Sequence, residues 1–191
     1  MPTTRSPYVV AFVGVAIVAG LVVLEQVTRP PPGCASSSSQ TPAPSPVVDT
    51  CFTPDEDCTS LIVNTLGTAQ RTVRVLAYSF TSPEIGQALA AAKACGVDVR
   101  VVLDKSQRSS HSDAVTALRN AGVPIQIDEL SGIAHNKVME IDESVVITGS
   151  FNFTKSAQKR NAENLVIIRD QRTASRFLAN WSTRSSHAKD Q

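Results

Sequence analysis

The feature that most restricts the fold is an alternation of strand-like and helix-like segments between residues 72 and 127. TVRVLAYSF (72–80) alternates with period two, as a strand does. Ser82-Pro83-Glu84 then opens a helix, with serine as N-cap and proline in the first turn. Ile85, Ala88, Leu89 and Ala92 form its apolar face and Gly96 ends it. VDVRVVLD (97–104) is a second strand, 111–121 a second helix stopped at Gly122, and PIQI (124–127) a short third strand. Strand–helix–strand order requires parallel pairing through right-handed crossovers. Further along, KVMEI (137–141) and SVVIT (144–148) flank Asp142-Glu143 as a hairpin, which makes the sheet mixed. ENLVIIR (163–169) adds a strand and 171–181 a last amphipathic helix. Leu61, Ile62, Thr65, Leu66 and Ala69 space one more helix within 57–69. The expected fold class is therefore α/β, a mixed β-sheet flanked by helices on both faces. No internal repeat is visible.

Upstream the composition changes. Tyr8 to Leu24 is a run of 17 residues without a charge, the short end of the roughly 17–25 that span a bilayer. A signal peptide has the same layout with a shorter apolar region of about 7–15 residues. No A-x-A site follows, and Cys34 in PPGC lacks the flanks of a lipoprotein signal. We read 1–28 as an N-terminal apolar helix that anchors the chain in a membrane, with a cleaved signal as the alternative. A buried core helix is disfavoured, because 29–50 is a Pro/Ser-rich linker that cannot offset its ordering entropy. The catalytic domain is expected over 51–182, with 183–191 a polar tail that contains His187. The chain's 18 Lys+Arg against 17 Asp+Glu give a net charge of +1, which excludes a protein that coats nucleic acid by bulk charge.

The chemistry lies between His135 and Glu163. His135 and Lys137 are two apart on an expected strand and share a face. An imidazole beside an ammonium suits an anion: one group attacks or shuttles a proton, the other neutralises charge. Such a pair alone is common on exposed strands. Here Gly149-Ser150-Phe151-Asn152 follows the strand SVVIT and precedes an expected helix, FTKSAQKR, and Ser150 and Asn152 are again two apart. Read in isolation, GSFN is a plain strand-to-helix turn and Glu163 a solvated strand residue.

Together the run is HxK(x)4D(x)6GSxN: His135, Lys137, Asp142, Gly149, Ser150 and Asn152 occupy every defined position. The chain resembles the phospholipase D superfamily, and in particular its small bacterial single-motif members, the metal-independent, nonspecific endonucleases of the Nuc type. CFTP (51–54), AYSFTSPEIGQAL (77–89), GVDVRVVLDKS (96–106), AHNK (134–137) and KRNAENLVII (159–168) carry the resemblance across 51–182. It implies a phospholipase D-like fold and these roles. His135 attacks phosphorus and forms a phosphohistidine. Lys137 and Asn152 bind the nonbridging oxygens, and Ser150 donates a further hydrogen bond. Glu163 orients the imidazole. Asp142 stands at odd spacing from His135, so we read it as structural support, with Gly149 the motif's turn residue. The superfamily takes its nucleophile and its leaving-group acid from two motif copies, and this chain has one, with only His111 and His187 besides. We therefore expect a twofold homodimer with both His135 side chains in one site. No metal or other cofactor is expected.

The expected substrate is the backbone of DNA or RNA. From Lys155 onward eight Lys+Arg face three acids. They form either a groove for phosphates, with Lys155 and Lys159 as contacts, or merely a solvated helix and tail. Lys105, Arg108 and His111 could also reach a backbone. Stacking aromatics are sparse: Tyr78, Phe80, Phe151, Phe153 and Trp181, of which Phe151 and Phe153 could instead be core. One alternative is a phospholipase D acting on phosphatidyl lipids, which the motif does not separate from a nuclease. Another is a noncatalytic nucleic-acid-binding module, against which the intact motif argues. If the domain is periplasmic or otherwise extracytoplasmic, whether anchored or secreted after cleavage, Cys51 and Cys58 are the natural disulfide. In a reducing compartment all four cysteines would be free thiols. Cys95 reads as merely buried.

Overall fold

The structure, a computed structural model, describes residues 48–191. The anchor expected over 1–28 and the expected linker up to residue 47 lie outside the described residues. No helix among the described residues is long and apolar enough to cross a membrane.

In chain order the elements are β1 (Val48–Thr53), α1 (Cys58–Leu66), β2 (Thr72–Ala77), α2 (Pro83–Ala94), β3 (Asp98–Asp104), α3 (Asp113–Asn120), β4 (Ile125–Asp128), β5 (Lys137–Ile141), β6 (Val145–Gly149), α4 (Lys155–Lys159), β7 (Glu163–Arg169), α5 (Gln171–Ser186) and β8 (Ala188–Asp190). A single 3-10 turn, Lys105–Gln107, follows β3. The strands form one eight-stranded sheet in the order β1-β7-β6-β5-β2-β3-β4-β8. β2, β3 and β4 run parallel, and every other neighbouring pair is antiparallel. This is the mixed sheet that the period-two segments and the hairpin call for.

Local chemistry sets the boundaries. The Ser82 side chain accepts the Ile85 N–H, and Pro83 stands at the first helical position of α2. Gly96 then takes φ +91°, which a side chain would resist. Asp142 and Glu143 both have positive φ, the twist that a tight hairpin between β5 and β6 needs. The helices divide between the two faces of the sheet. Ile62 and Leu66 of α1, Ile85 and Leu89 of α2, and Val115 and Leu118 of α3 share one core with Val73, Val75, Val101, Met139 and Ile167. On the other face α5 sets Ala174 and Trp181 against Leu76, Val102, Val138 and Val146. The indole N–H of Trp181 donates to the Val75 carbonyl at 3.1 Å.

The sequence reading needs correction at both ends. Residues 48–50, read as linker, begin β1, which pairs along its whole length with β7. The polar end, read as a tail, carries α5 on to Ser186 and then folds back as β8 along β4. His187 is the C-cap of α5. The expected strand 72–80 stops at Ala77, and Phe80 then makes an isolated parallel bridge with Phe153.

Candidate active site

β5 begins and β6 ends at the same end of the sheet, and the motif sits there. His135 lies two residues before β5 rather than within it, but in line with it, because the Tyr78 N–H donates to the Asn136 carbonyl at 2.8 Å. Its imidazole is exposed and packs edge-on against Tyr78, with ring centroids 4.6 Å apart. Lys137 is 7% exposed. Its Nζ donates to the His135 carbonyl at 2.8 Å and stands 5.0 Å from the centroid of the same Tyr78 ring. Tyr78 thus gathers both motif side chains on one aromatic surface. The sequence marked it only as one of several aromatics. Burial lowers the Lys137 pKa from its ordinary value, and the charge of Glu163 acts in the opposite sense.

The second half of the motif leaves β6 through Gly149, whose φ is +143°. The glycine is required there: a Cβ would come 2.3 Å from the Asn164 carbonyl oxygen. The Ser150 hydroxyl donates to Glu163 Oε2 at 2.5 Å and accepts the Asn164 N–H at 3.0 Å. Glu163 Oε1 accepts from Asn161 Nδ2 at 2.8 Å. Asn152 is half-buried, and its Oδ1 is shut away from solvent without a hydrogen-bond partner among the described residues. An unsatisfied buried amide costs about 1–3 kcal/mol, so this group is held at the fold's expense. Phe151 and Phe153 on either side of it are fully buried, which aims the intervening Asn152 differently.

Glu163 does not meet the imidazole within one chain. It heads β7, and β6 separates β7 from β5, so its partners are Ser150 and Asn161. Its charge nonetheless acts on Lys137 at the start of β5. Asp142 stands at the opposite end of β5, where its carboxylate accepts the N–H groups of Gln70, Arg71 and Thr72 at 2.7–2.8 Å. It ties the β5–β6 turn to the start of β2.

Of the basic candidates, Arg108 is held in an ion pair with Glu129. Lys155 and Lys159 begin and end α4 and line a hollow with Asp57, Ser60, Ser82 and Glu84. Their charges help hold the Asp57 and Glu84 carboxyls below the ordinary range, behind the hydrogen bonds those acids accept. Later in the basic stretch, Arg169 pairs with Asp49 and Arg184 with Asp128. Lys105 lies in the single turn after β3, and His111 precedes α3. Among the aromatics, Phe80, Phe151, Phe153 and Trp181 are core, leaving Tyr78 at the site. Cys51 and Cys58 form a disulfide, and Cys95, read as merely buried, is disulfide-bonded as well.

The sheet thus brings a histidine, a lysine, a serine and an asparagine to one end of β5 and β6, a set suited to phosphoryl transfer. The family described as cardiolipin synthase, PLD-like domain, matches residues 62–184. Phospholipase D of Rickettsia conorii is 45% identical over 139 residues, 73% of this chain and 70% of that one. Mitochondrial cardiolipin hydrolase of Xenopus laevis is 35% identical over 135 residues, 71% of this chain and 61% of that one. Among solved structures, Nuc from Salmonella typhimurium, a phospholipase D family member, superposes with a TM-score of 0.71 at 36% identity, over 75% of this chain and 97% of Nuc. The chain belongs to the phospholipase D superfamily of phosphodiesterases.

Proposed function

We propose that this chain is a nonspecific DNA/RNA endonuclease that cuts phosphodiester bonds through a phosphohistidine and needs no metal. The observation that carries the reading is the His135–Lys137–Tyr78 cluster: an exposed imidazole beside a buried ammonium, both held against one ring. A ring nitrogen of His135 attacks phosphorus and the P–O bond to the leaving group breaks. That oxygen takes up a proton, and water then attacks phosphorus, freeing the histidine and the second product. Lys137 and the Asn152 amide bind the nonbridging oxygens, where negative charge builds in the transition state. Ser150 gives its one hydroxyl proton to Glu163 and keeps that carboxylate in place.

The leaving oxygen needs a proton donor that one chain does not place beside His135. We infer a twofold homodimer in which the second His135 supplies it. The same arrangement would bring Glu163 to an imidazole across the interface. The resemblance to Nuc-type endonucleases along the whole catalytic domain favours nucleic acid.

A phosphatidyl lipid is the second reading. Ile133, two residues before His135, is 60% exposed, and an apolar lip beside a nucleophile suits an acyl chain. The Rickettsia relatives named phospholipase D support it too. For either substrate we infer an extracytoplasmic, membrane-anchored domain, since the Cys51–Cys58 disulfide suits an oxidising compartment.

The test offers supercoiled plasmid and phosphatidylcholine or cardiolipin vesicles to the chain in excess EDTA, with His135→Ala beside it and light scattering for mass. Nicking by a wild-type dimer and not by His135→Ala is expected. Release of phosphatidic acid without nicking would transfer the assignment to lipid.

A further inference from the structure

The segment that delivers His135 to the site has no regular secondary structure, yet both of its ends are fastened. At one end the Leu130 N–H donates to Asp128 Oδ1 at 2.9 Å. At the other the Ala134 N–H donates to Asp104 Oδ2 at 2.6 Å. Asp104 and Asp128 terminate the parallel strands β3 and β4, are register partners, and are only 1% and 2% exposed. Between the two anchors lie Ser131, Gly132 at φ +84° and the exposed Ile133.

Asp104 has a second partner, the Ser106 N–H, which donates to Oδ1 at 2.9 Å. One buried carboxylate therefore holds the residue before the nucleophile and the turn that bears Lys105. Asp128 is held in turn by Arg184 Nε at 2.5 Å, so α5 braces the far end. The β ladder leaves the Ala134 N–H unused, and without Asp104 it would be a buried donor lacking a partner.

We propose that Asp104 is a positioning residue for His135, acting through the Ala134 N–H, with Asp128 as its counterpart at the other end of the segment. This rests on His135 being the nucleophile. The backbone around the imidazole is then fixed from three sides: Asp104 takes the Ala134 N–H, Lys137 donates to the His135 carbonyl, and Tyr78 donates to the Asn136 carbonyl. A nucleophile must meet phosphorus in line, and a displacement of about 1 Å can cost on the order of a hundredfold in rate. A carboxylate that only stabilised the fold would leave turnover per folded molecule unchanged.

The test uses the full chain and bis(p-nitrophenyl) phosphate, a phosphodiester that is neither nucleic acid nor lipid. Asp104→Asn keeps the shape and one acceptor oxygen but loses the charge. Its kcat is expected to fall about 10–100-fold with KM within about twofold. Asp170→Ala, which removes the N-cap of α5, serves as a purely structural comparator and is expected to lower the Tm without lowering kcat. An Asp104→Asn variant whose kcat per folded molecule matches wild type would overturn the proposal. If Asp104→Asn does not fold, Asp128→Asn is read the same way, with a smaller expected drop in kcat, and an unchanged kcat there overturns it. Turnover by His135→Ala would instead remove the nucleophile assignment on which the proposal rests, so the two failures are told apart.

Discussion

The Ser150 hydroxyl and the Glu163 carboxylate are joined at 2.5 Å, which locks the turn after β6 to the first residue of β7. The same hydroxyl accepts the Asn164 N–H, so Ser150 is saturated by the neighbouring strand. Ser150→Ala should therefore weaken Glu163 placement as well as remove a donor. A hydrogen bond to a charged group contributes about 1.5–3 kcal/mol, so kcat/KM should fall roughly 10–100-fold. Glu163→Gln should lose a comparable amount, and the double variant less than the product of the two, because both remove one interaction. Independent, multiplicative losses in steady-state kinetics would show that the pair does not act as a unit.

Gly149 should tolerate no side chain. An added Cβ would lie 2.3 Å from the Asn164 carbonyl oxygen, at a φ that side chains rarely adopt. Gly149→Ala should lower stability by at least about 2 kcal/mol. Gly132→Ala is the control: φ is also positive, but nothing lies within 4 Å, so only the backbone cost of about 1 kcal/mol is expected. Urea unfolding of both variants reads the difference. Equal losses would mean that close approach to β7 is not why the motif carries glycine there.

Glu140 should make the fold sensitive to pH. It is fully buried on β5, and neither carboxylate oxygen has a hydrogen-bond partner among the described residues. Its register partner Arg74 turns away to Asp98 and stacks on Trp181. Burial raises the Glu140 pKa from 4.5 to about 7. Below the unfolded pKa both states hold the proton. As pH rises toward 7 the unfolded chain releases it first, so folding becomes less favourable. Above 7 the loss levels off, at up to about 3 kcal/mol. Glu140→Gln, which cannot ionise, should gain on wild type through this window in urea titrations from pH 4 to 8. A gap that stays constant across that range would contradict the burial argument.

Much of this was legible in the sequence because it depends on local chemistry. Alternation gave away β2, β3, β5, β6 and β7, Ser82-Pro83 marked the start of α2, and the spaced motif marked the site edge. The odd spacing of Asp142 from His135 points to structural support, and Asp142 does hold three backbone amides, but from the hairpin turn at the far end of β5. What escaped depends on partners distant in sequence. VDTCFT has no clean alternation and becomes β1 only because β7 offers it a free edge. Ala188–Asp190 is a strand because β4 would otherwise end the sheet unpaired. Within one chain Glu163 bonds to Ser150 and Asn161 instead of the imidazole, partners that the motif spacing does not name. Tyr78 looked no different from Phe80, yet one rings the site and the other fills the core. Charge count leaves the stretch from Lys155 onward open between a phosphate groove and a solvated helix and tail, because pairing such as Arg169 with Asp49 and Arg184 with Asp128 depends on partners distant in sequence.

The central claim is that His135 forms a covalent bond to phosphorus. The most direct measurement mixes the chain with a phosphodiester substrate in EDTA, quenches in alkaline denaturant within the first turnover, and maps the adduct by mass spectrometry. The account predicts an acid-labile, base-stable phosphoryl adduct on the peptide containing His135, absent from His135→Ala, which does not turn over. Turnover without any adduct on that peptide, together with an active His135→Ala, would contradict it.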